Sequence, residues 1–167
     1  MKIRFATLED IPALVELGRR FHGLTRFRAY HFNAPRLTEQ LTVLVRSQQG
    51  SHCFFVAEDS AGLPVGALIG CIERHMFSDQ PIASIVQFVA LPERRLGGAG
   101  LRLLTAFRRW AENRGAFELC AGVNSGVELA KMDRMLKRLG FRQTGGNYAL
   151  SLGVVCPDPE IDGRVGK

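Results

Sequence analysis

The chain has 167 residues, of which 46% are hydrophobic and 23% are charged. This length and composition are typical of one soluble globular domain with a sizeable core. No apolar run approaches the roughly 18 residues that a membrane span needs, and the first five residues, MKIRF, become charged too soon for a signal peptide. We therefore expect a cytoplasmic protein with no membrane contact.

The charge bears on the kind of partner, and the cysteines bear on disulfides and metal binding. The net charge of +6 favours an anionic partner. The arginines are scattered over several segments without a nucleic-acid-binding signature, which argues against nucleic acid. The four cysteines, Cys53, Cys71, Cys120 and Cys156, are far apart and have no histidine cluster nearby. They predict free thiols and no metal site.

The first half of the chain predicts a strand, two helices and a hairpin. The helices are indicated by apolar residues at helical spacing, and the hairpin by two apolar stretches that a turn-rich connector joins. The predicted bounds are 2–6 for the strand, 7–23 and 37–47 for the helices, and 52–58 and 63–74 for the hairpin strands.

The connection between the two helices, residues 24–35, is irregular and carries Tyr30 and His31. A polar, aromatic loop of this kind suits substrate contact, which makes both residues candidates for substrate binding. The same segment also fits a solvated connection with Phe27 and Phe32 in the core. The sequence leaves both interpretations open.

The second half is arranged around a central strand at 82–91, where nearly every residue is apolar. Such a run predicts a strand that is covered on both faces. A glycine-rich loop and a helix as far as Gly115 follow it. The next strand, 117–122, is reached through that helix, so we expect the two strands to be parallel neighbours.

A last helix is predicted at 129–139, and residues 141–144 and 147–152 are strand-like. An open edge formed by these last strands would suit a homodimer. The tail, 153–167, has no periodic apolar set and is expected to be mobile or to lie on the surface. The predicted domain therefore covers residues 1–152.

The loop after the central strand has glycines at 97, 98 and 100. Glycine lets a backbone approach a ligand closely, and the N-terminus of the following helix directs free N–H groups and a positive dipole end into the loop. This combination favours an anion such as phosphate. A Walker loop would need Lys and then Ser or Thr where Leu101 follows the last glycine, and a dinucleotide fingerprint would need a small residue at Leu103. A glycine-rich turn without a ligand stays open as the alternative.

What remains is the pattern Arg95-x-x-Gly98-x-Gly100. With the preceding strand and Pro92 it resembles the pyrophosphate-binding motif of the GNAT superfamily of acyl-CoA-dependent N-acyltransferases. The order of predicted elements over residues 1–152 also resembles that family, as do the segments VAE at 56–58, PVG at 64–66 and LGF at 139–141. The resemblance implies an α/β (α+β layered) fold, with a mixed, mostly antiparallel twisted sheet of about six or seven strands and about four flanking helices.

The resemblance also implies a cofactor and a site. The donor would be acetyl-CoA, and the acceptor an amine of a small molecule, a peptide or a protein. The central strand would pair with the pantetheine arm, and amides of the glycine loop would hold the pyrophosphate. The cofactor-binding residues implied in this way are Phe88, Val89, Ala90, Arg95, Leu96, Gly97, Gly98, Ala99, Gly100, Leu101 and Asn124.

The catalytic side chains depart from the family pattern. Leu136 stands where many relatives carry a tyrosine as acid, and Ser84 stands where histone-type members carry a carboxylate as base. Glu73 and His75, near the end of the neighbouring strand, are then the candidates for the catalytic base. Glu73 also fits a surface carboxylate that pairs with Arg74 or with solvent.

Tyr148, Ser125 or water would have to take the place of the missing acid. The missing tyrosine leaves two functions open. One is an N-acetyltransferase that uses acetyl-CoA. The other is a GNAT-like module that binds acyl-CoA without turnover and serves as a sensor or an interaction partner.

Overall fold

The computed structural model describes residues 1–48, 50–90, 98–150 and 152. Within these residues the chain forms five strands, four α-helices and two short 3₁₀ helices. The strands are β1 Lys2–Phe5, β2 His52–Glu58, β3 Pro64–Arg74, β4 Pro81–Ala90 and β5 Glu118–Ala121. The helices are α1 Ile11–Leu24, α2 Ala34–Ser47, α3 Ala99–Glu112 and α4 Leu129–Arg138, and the 3₁₀ helices are Leu8–Asp10 and Arg26–Ala29.

The five strands form one sheet in the order β1-β2-β3-β4-β5. Neighbouring strands are antiparallel except β4 and β5, which are parallel and are connected through α3. One buried cluster packs α1 and α2 against one face of the sheet, and a second packs α3 against the other face. The predicted α/β fold with a mostly antiparallel sheet is confirmed, and so is the parallel arrangement of the central strand and the next one.

The two strands predicted at 141–144 and 147–152 do not form among the described residues. Residues 141–150 have no regular secondary structure, and the side chains of Tyr148 and Leu150 are almost fully exposed. The side-chain amide of Asn147 donates to the carbonyl of Val123, 3.1 Å away and just beyond β5. An alternating pattern becomes a strand only when its backbone groups pair with a neighbour, so the described sheet has fewer strands than the sequence predicted.

No helix in the described parts of the chain is long and apolar enough to cross a membrane. The described cysteines, Cys53, Cys71 and Cys120, are free thiols, as predicted. Burial raises the pKa of the Cys53 thiol to about 12. Cys53 therefore stays protonated at neutral pH and packs as a small apolar side chain.

Glycine is required where α3 packs on β3. The Phe107 side chain of α3 is fully buried, and a Cβ atom built on Gly70 of β3 would lie 2.2 Å from its Cε2 atom. Carbon atoms do not approach so closely. Only glycine at position 70 lets the ring of Phe107 lie against the backbone of the sheet.

An ion-pair network joins β1, β2 and the start of α1. The Arg4 guanidinium donates from Nη1 and Nη2 to the two carboxylate oxygens of Asp10, at 2.7 and 2.8 Å, and from Nε to Glu58 at 2.6 Å. Asp10 is buried and also accepts the backbone N–H of Thr7 at 2.8 Å. The hydrogen bond from Arg4 holds the pKa of the Asp10 carboxyl below its usual range.

We expect Gly70→Ala to lower the free energy of unfolding, because the added methyl forces Phe107 out of its position. Overpacking of this kind costs about 1–3 kcal/mol, and each kcal/mol lowers Tm by roughly 2–4 °C in a chain of this size. Gly23→Ala is the matched control, because its Cβ would meet nothing within 4 Å and it lies in α1, where alanine gains about 0.4–1 kcal/mol. Thermal melts in which both variants shift in the same direction would contradict this account.

We also expect stability to fall when Asp10 is protonated. Since the pKa of folded Asp10 is depressed, its contribution is present above the unfolded value near pH 4 and is lost as the pH falls through the folded value. Asp10→Asn should be less stable than the wild type at pH 7, and the difference should narrow below about pH 4. Denaturant unfolding from pH 7 to pH 2 measures this, with the neighbouring exposed Glu9→Gln as the control. A difference that is constant with pH would refute the assignment.

Candidate functional site

The candidate site begins where β4 and β5 separate. The parallel pairing runs from Ile82 opposite Glu118 to Ile85 opposite Ala121 and ends there. β4 continues as far as Ala90. Residues 87–90 therefore pair with β3 on one side and have no β5 partner on the other, which leaves a row of backbone groups facing an opening.

A bulge in β4 marks the same point. Ile69 of β3 lies opposite Gln87 and Gly70 lies opposite Ile85, so that Val86 is the extra residue. The Val86 side chain is 59% exposed, and Gln87 is exposed as well. The prediction of a strand covered on both faces is therefore wrong for this part of β4.

The opening is a cleft that passes through the sheet. Phe21 and Phe27 line it on the side of α1 and α2, and Leu104, Met132 and Leu136 line it on the side of α3 and α4. Both walls are apolar, whereas the edge between them is the polar backbone of β4. A cleft of this kind suits an extended ligand that carries both amide groups and methylene groups.

Arg26 holds one rim of the cleft in place. Its backbone N–H donates to the Ser125 carbonyl at 3.0 Å, and its Nε donates to the Asn124 carbonyl at 2.6 Å. Its guanidinium also lies 4.7 Å from the ring centroid of Phe27. These contacts join the connection between α1 and α2 to the chain after β5. Sequence reasoning missed Arg26 and Phe27 as site residues, because only the fold brings position 26 next to position 124.

The N-terminus of α3 lies beside the cleft. Gly98 caps the helix with a positive φ of 67°, and the first intrahelical bond joins the Arg102 N–H to the Gly98 carbonyl at 3.0 Å. The amides of Ala99, Gly100 and Leu101 precede that bond, so they have no acceptor within the helix. With the helix dipole, they form a place for an anion.

Gly100 is needed for the close packing of α3 on β4. A Cβ atom at this position would lie 3.2 Å from Cζ of Phe88 and 3.8 Å from Cβ of Ala90. Phe88 also lines the cleft. Gly100 therefore lets the first turn of α3 pack closely on the open part of β4. The predicted site residues Arg95, Leu96 and Gly97 lie outside the described residues, as does Pro92.

Glu73 and Ser84 meet across β3 and β4. Ser84 lies opposite Cys71 in the register, and the Ser84 hydroxyl donates a hydrogen bond to the Glu73 carboxylate. Glu73 is exposed, and the Arg74 guanidinium lies 4.0 Å from the Asp79 carboxylate. The exposure of Glu73 agrees with the alternative of a surface carboxylate in contact with solvent, and its hydrogen-bond partner is Ser84 and not Arg74.

Two thiols flank this pair, because Cys71 and Cys120 are the cross-strand neighbours of Ser84. Burial, followed by the negative charge of Glu73, raises the pKa of the Cys71 thiol. Burial, followed by the charges of Glu118 and Glu73, raises the pKa of the Cys120 thiol. Both thiols are therefore held in the neutral form, and the carboxylates supply the charge on this face.

The other predicted side chains lie farther from the opening. His75 is exposed in the β3–β4 connection, with its ring 5.0 Å from that of Phe77. Tyr30 is exposed, with its ring 6.4 Å from that of Phe27 on the cleft wall. His31 is exposed. The structure thus brings Tyr30 near the cleft through Phe27 and leaves His75 beyond the end of β3.

The residues that bear on the missing general acid lie at different distances from the cleft. Leu136, at the position of the family tyrosine, lines the cleft and has no polar group to offer. Ser125 lines the cleft as well, and its hydroxyl accepts the Val127 N–H at 3.4 Å. Tyr148 is 98% exposed and is not among the lining residues.

The sequence matches the model of the acetyltransferase (GNAT) family over residues 16–141. The match spans most of the chain and includes the central strand, the glycine loop and the cleft. The chain therefore belongs to the GNAT acetyltransferase family. No curated protein matches it significantly.

Solved structures show the same fold. An acetyltransferase from Trypanosoma brucei is 18% identical, with a TM-score of 0.67 over 90% of this chain and 99% of that one. A tetramutant of the BH1408 protein from Bacillus halodurans is 20% identical, with a TM-score of 0.74 over 91% and 100%. The protein AAC(6′)-Iy, in complex with the bisubstrate analogue CoA-S-monomethyl-acetylneamine, is 17% identical, with a TM-score of 0.70 over 90% and 96%.

We expect Gly98→Asp to weaken the binding of coenzyme A at least about tenfold, because the carboxylate would repel a pyrophosphate at the α3 N-terminus. The fold should survive, since an L residue at the positive φ of Gly98 costs only about 1–2 kcal/mol. Gly62→Asp is the matched control: Gly62 has a φ of +77° and, like Gly98, has no atom within 4 Å of a built Cβ. Titration calorimetry should show a loss of affinity in Gly98→Asp alone. An equal affinity in both variants would remove the loop from the site.

Proposed function

We propose that the protein is an N-acetyltransferase that transfers the acetyl group of acetyl-CoA to an amine of a small molecule, a peptide or a protein. The observation that carries the proposal is the cleft at residues 86–90 of β4, which Phe88 joins to the N-terminus of α3. Family membership supports acetyl transfer. The solved complex of AAC(6′)-Iy with a coenzyme A analogue supports the choice of donor.

The residues fit the two polar parts of coenzyme A. The amides at the start of α3 offer N–H groups and a positive dipole end to the pyrophosphate. Phe88, Val89 and Ala90 offer backbone groups that no β5 residue pairs with, and these suit the amides of the pantetheine arm. Asn124 lines the same cleft. By resemblance, Arg95, Leu96 and Gly97 complete the pyrophosphate site.

Acetyl-CoA supplies an activated thioester, so the protein mainly has to place it beside the acceptor amine. The apolar walls at Phe21, Phe27 and Leu104 exclude water from the cleft. The backbone N–H of Val89 or Ala90 is the candidate donor to the thioester oxygen. On this proposal, binding and orientation account for most of the rate enhancement.

Leu136 favours a second candidate function, acyl-CoA binding without turnover. It lines the cleft and cannot protonate a departing thiolate. Under this alternative the protein would serve as a sensor or an interaction module. Both functions need the same cofactor cleft, so they differ only in turnover.

The expected result is that acetyl-CoA raises Tm, whereas NAD and ATP at the same concentration do not. A ligand that binds only the folded state adds about 2.7 kcal/mol at a hundredfold excess over Kd, which corresponds to a rise of roughly 5–10 °C in a chain of this size. Desulfo-coenzyme A should retain most of the shift, because the amides at Ala99–Leu101 and the β4 backbone do not require sulfur. A shift with ATP or NAD but not with acetyl-CoA would reject both candidate functions.

Turnover then separates the two candidates. Release of free thiol from acetyl-CoA is followed with spermidine, tyramine, glucosamine and a lysine-containing peptide as separate acceptors. Thiol release that depends on an amine supports the acetyltransferase. A clear Tm shift with no release from any of these amines supports the binding module.

A further inference from the structure

We propose that Glu73 is the general base of the reaction and that Ser84 is the residue that positions it. The proposal rests on the acetyltransferase function proposed above, because it names the group that takes the proton from the acceptor amine. It assigns the base to a strand that does not border the cleft. Ser84 lies on β4, which does border the cleft, and its hydrogen bond holds the Glu73 carboxylate beside the cleft.

Register places the pair at the mouth of the cleft. Ser84 pairs with Cys120 one step before the last parallel pair, Ile85 with Ala121. Both Ile85 and Ala121 line the cleft. Ser84 therefore stands one residue before the last position at which β4 has a β5 neighbour. Glu73, whose register partner is Ile82, reaches this position because its carboxylate extends along the sheet to the Ser84 hydroxyl.

The two side chains lie on the face opposite α3. Ala83 and Ile85, on either side of Ser84, pack with the α3 cluster, and successive side chains of a strand alternate between faces. The α3 N-terminus, which the proposed function assigns to the pyrophosphate, belongs to the other face. Donor and base would then approach the opening from opposite sides, which leaves the face of Glu73 free for the acceptor.

The hydrogen bond defines what each partner does. Ser84 donates its only hydroxyl proton, so the carboxylate of Glu73 is the acceptor. One carboxylate oxygen is held at β4, and the exposed side chain leaves the other accessible to an amine. Without Ser84, Glu73 would have the rotamer freedom of an exposed glutamate, and fewer of its conformations would reach the opening.

The proton and electron transfers balance without a further reactant. Glu73 takes one proton from the acceptor ammonium and passes it to solvent. The amine lone pair forms the new C–N bond at the thioester carbon, and the C–S bond breaks with its electron pair on sulfur. The second amine proton passes to solvent as the amide forms, and one proton from solvent completes the free thiol, so that one proton is released in total. Ser84 exchanges no proton in this sequence.

The test first replaces Glu73 and Ser84 one at a time and then exchanges the two side chains between their strands. With the best amine of the four-member panel as acceptor, Glu73→Gln should lower kcat about a hundredfold or more. Ser84→Ala should lower kcat about tenfold with KM for acetyl-CoA unchanged, and Ser84→Thr, which keeps the hydroxyl, should restore most of it. The double variant E73S/S84E carries the same two groups on exchanged strands. It should be at least about tenfold more active than E73S alone.

Glu118→Gln is the matched control, because Glu118 is another carboxylate on this face and acts on the same Cys120 thiol. Its kcat should stay within about threefold of the wild type. The acetyl-CoA shift in Tm should be retained in every variant, since none of them alters the cofactor cleft.

A kcat for Glu73→Gln within threefold of the wild type would overturn the proposal, whatever the exchange variant does. An equal loss of kcat in Glu118→Gln would also overturn the proposal. In that case the total negative charge of this sheet face would matter, and not the position of one base. A folded E73S/S84E protein with no more activity than E73S would refute the positioning role of Ser84. Wild-type protein that releases no thiol with any amine would instead overturn the proposed function and this inference with it.

Discussion

The early end of one parallel strand pair determines the rest of the site. β5 pairs with β4 only from Ile82 to Ile85. An unpaired backbone edge inside a protein must find another partner or face solvent. The bulge at Val86 lies at this boundary, where bulges commonly redirect a strand. The cleft is therefore a property of the sheet itself, and the flanking helices supply its walls.

The same close packing serves the fold and the proposed cofactor site. Gly70 lets Phe107 lie on the sheet, and Gly100 lets the start of α3 approach Phe88. The first contact holds α3 against β3 and the second holds its first turn against β4, so the helix N-terminus ends beside the open part of β4. A bulkier residue at either place would move the helix dipole away from the opening. Stability and the proposed anion binding would thus depend on one helix–sheet distance.

The sequence predicted most elements of the fold to within a few residues, because apolar periodicity and glycine or proline boundaries are local signals. It could not predict the exposure of Val86 and Gln87, since an apolar run does not report where a bulge interrupts the strand. The strands expected after Gly140 depended on pairing with another strand, which a pattern does not supply. The glycine loop was recognisable because its chemistry lies within a few positions. The contacts of Arg26 with Asn124, and of Ser84 with Glu73, required the register of distant segments.

For the proposed reaction, the lack of an acid at Leu136 matters less than the lack of a base would. An amine like that of lysine has a pKa near 10.4, so at neutral pH nearly every acceptor carries a proton that must be removed before attack. A thiol has a pKa near 8.5, so its thiolate is a tolerable leaving group without an acid beside it. Leu136 in place of a hydroxyl therefore costs less than the loss of a base would. Under the proposed function, this difference would let an apolar wall at Leu136 and a hydrogen-bonded carboxylate at Glu73 belong to one site.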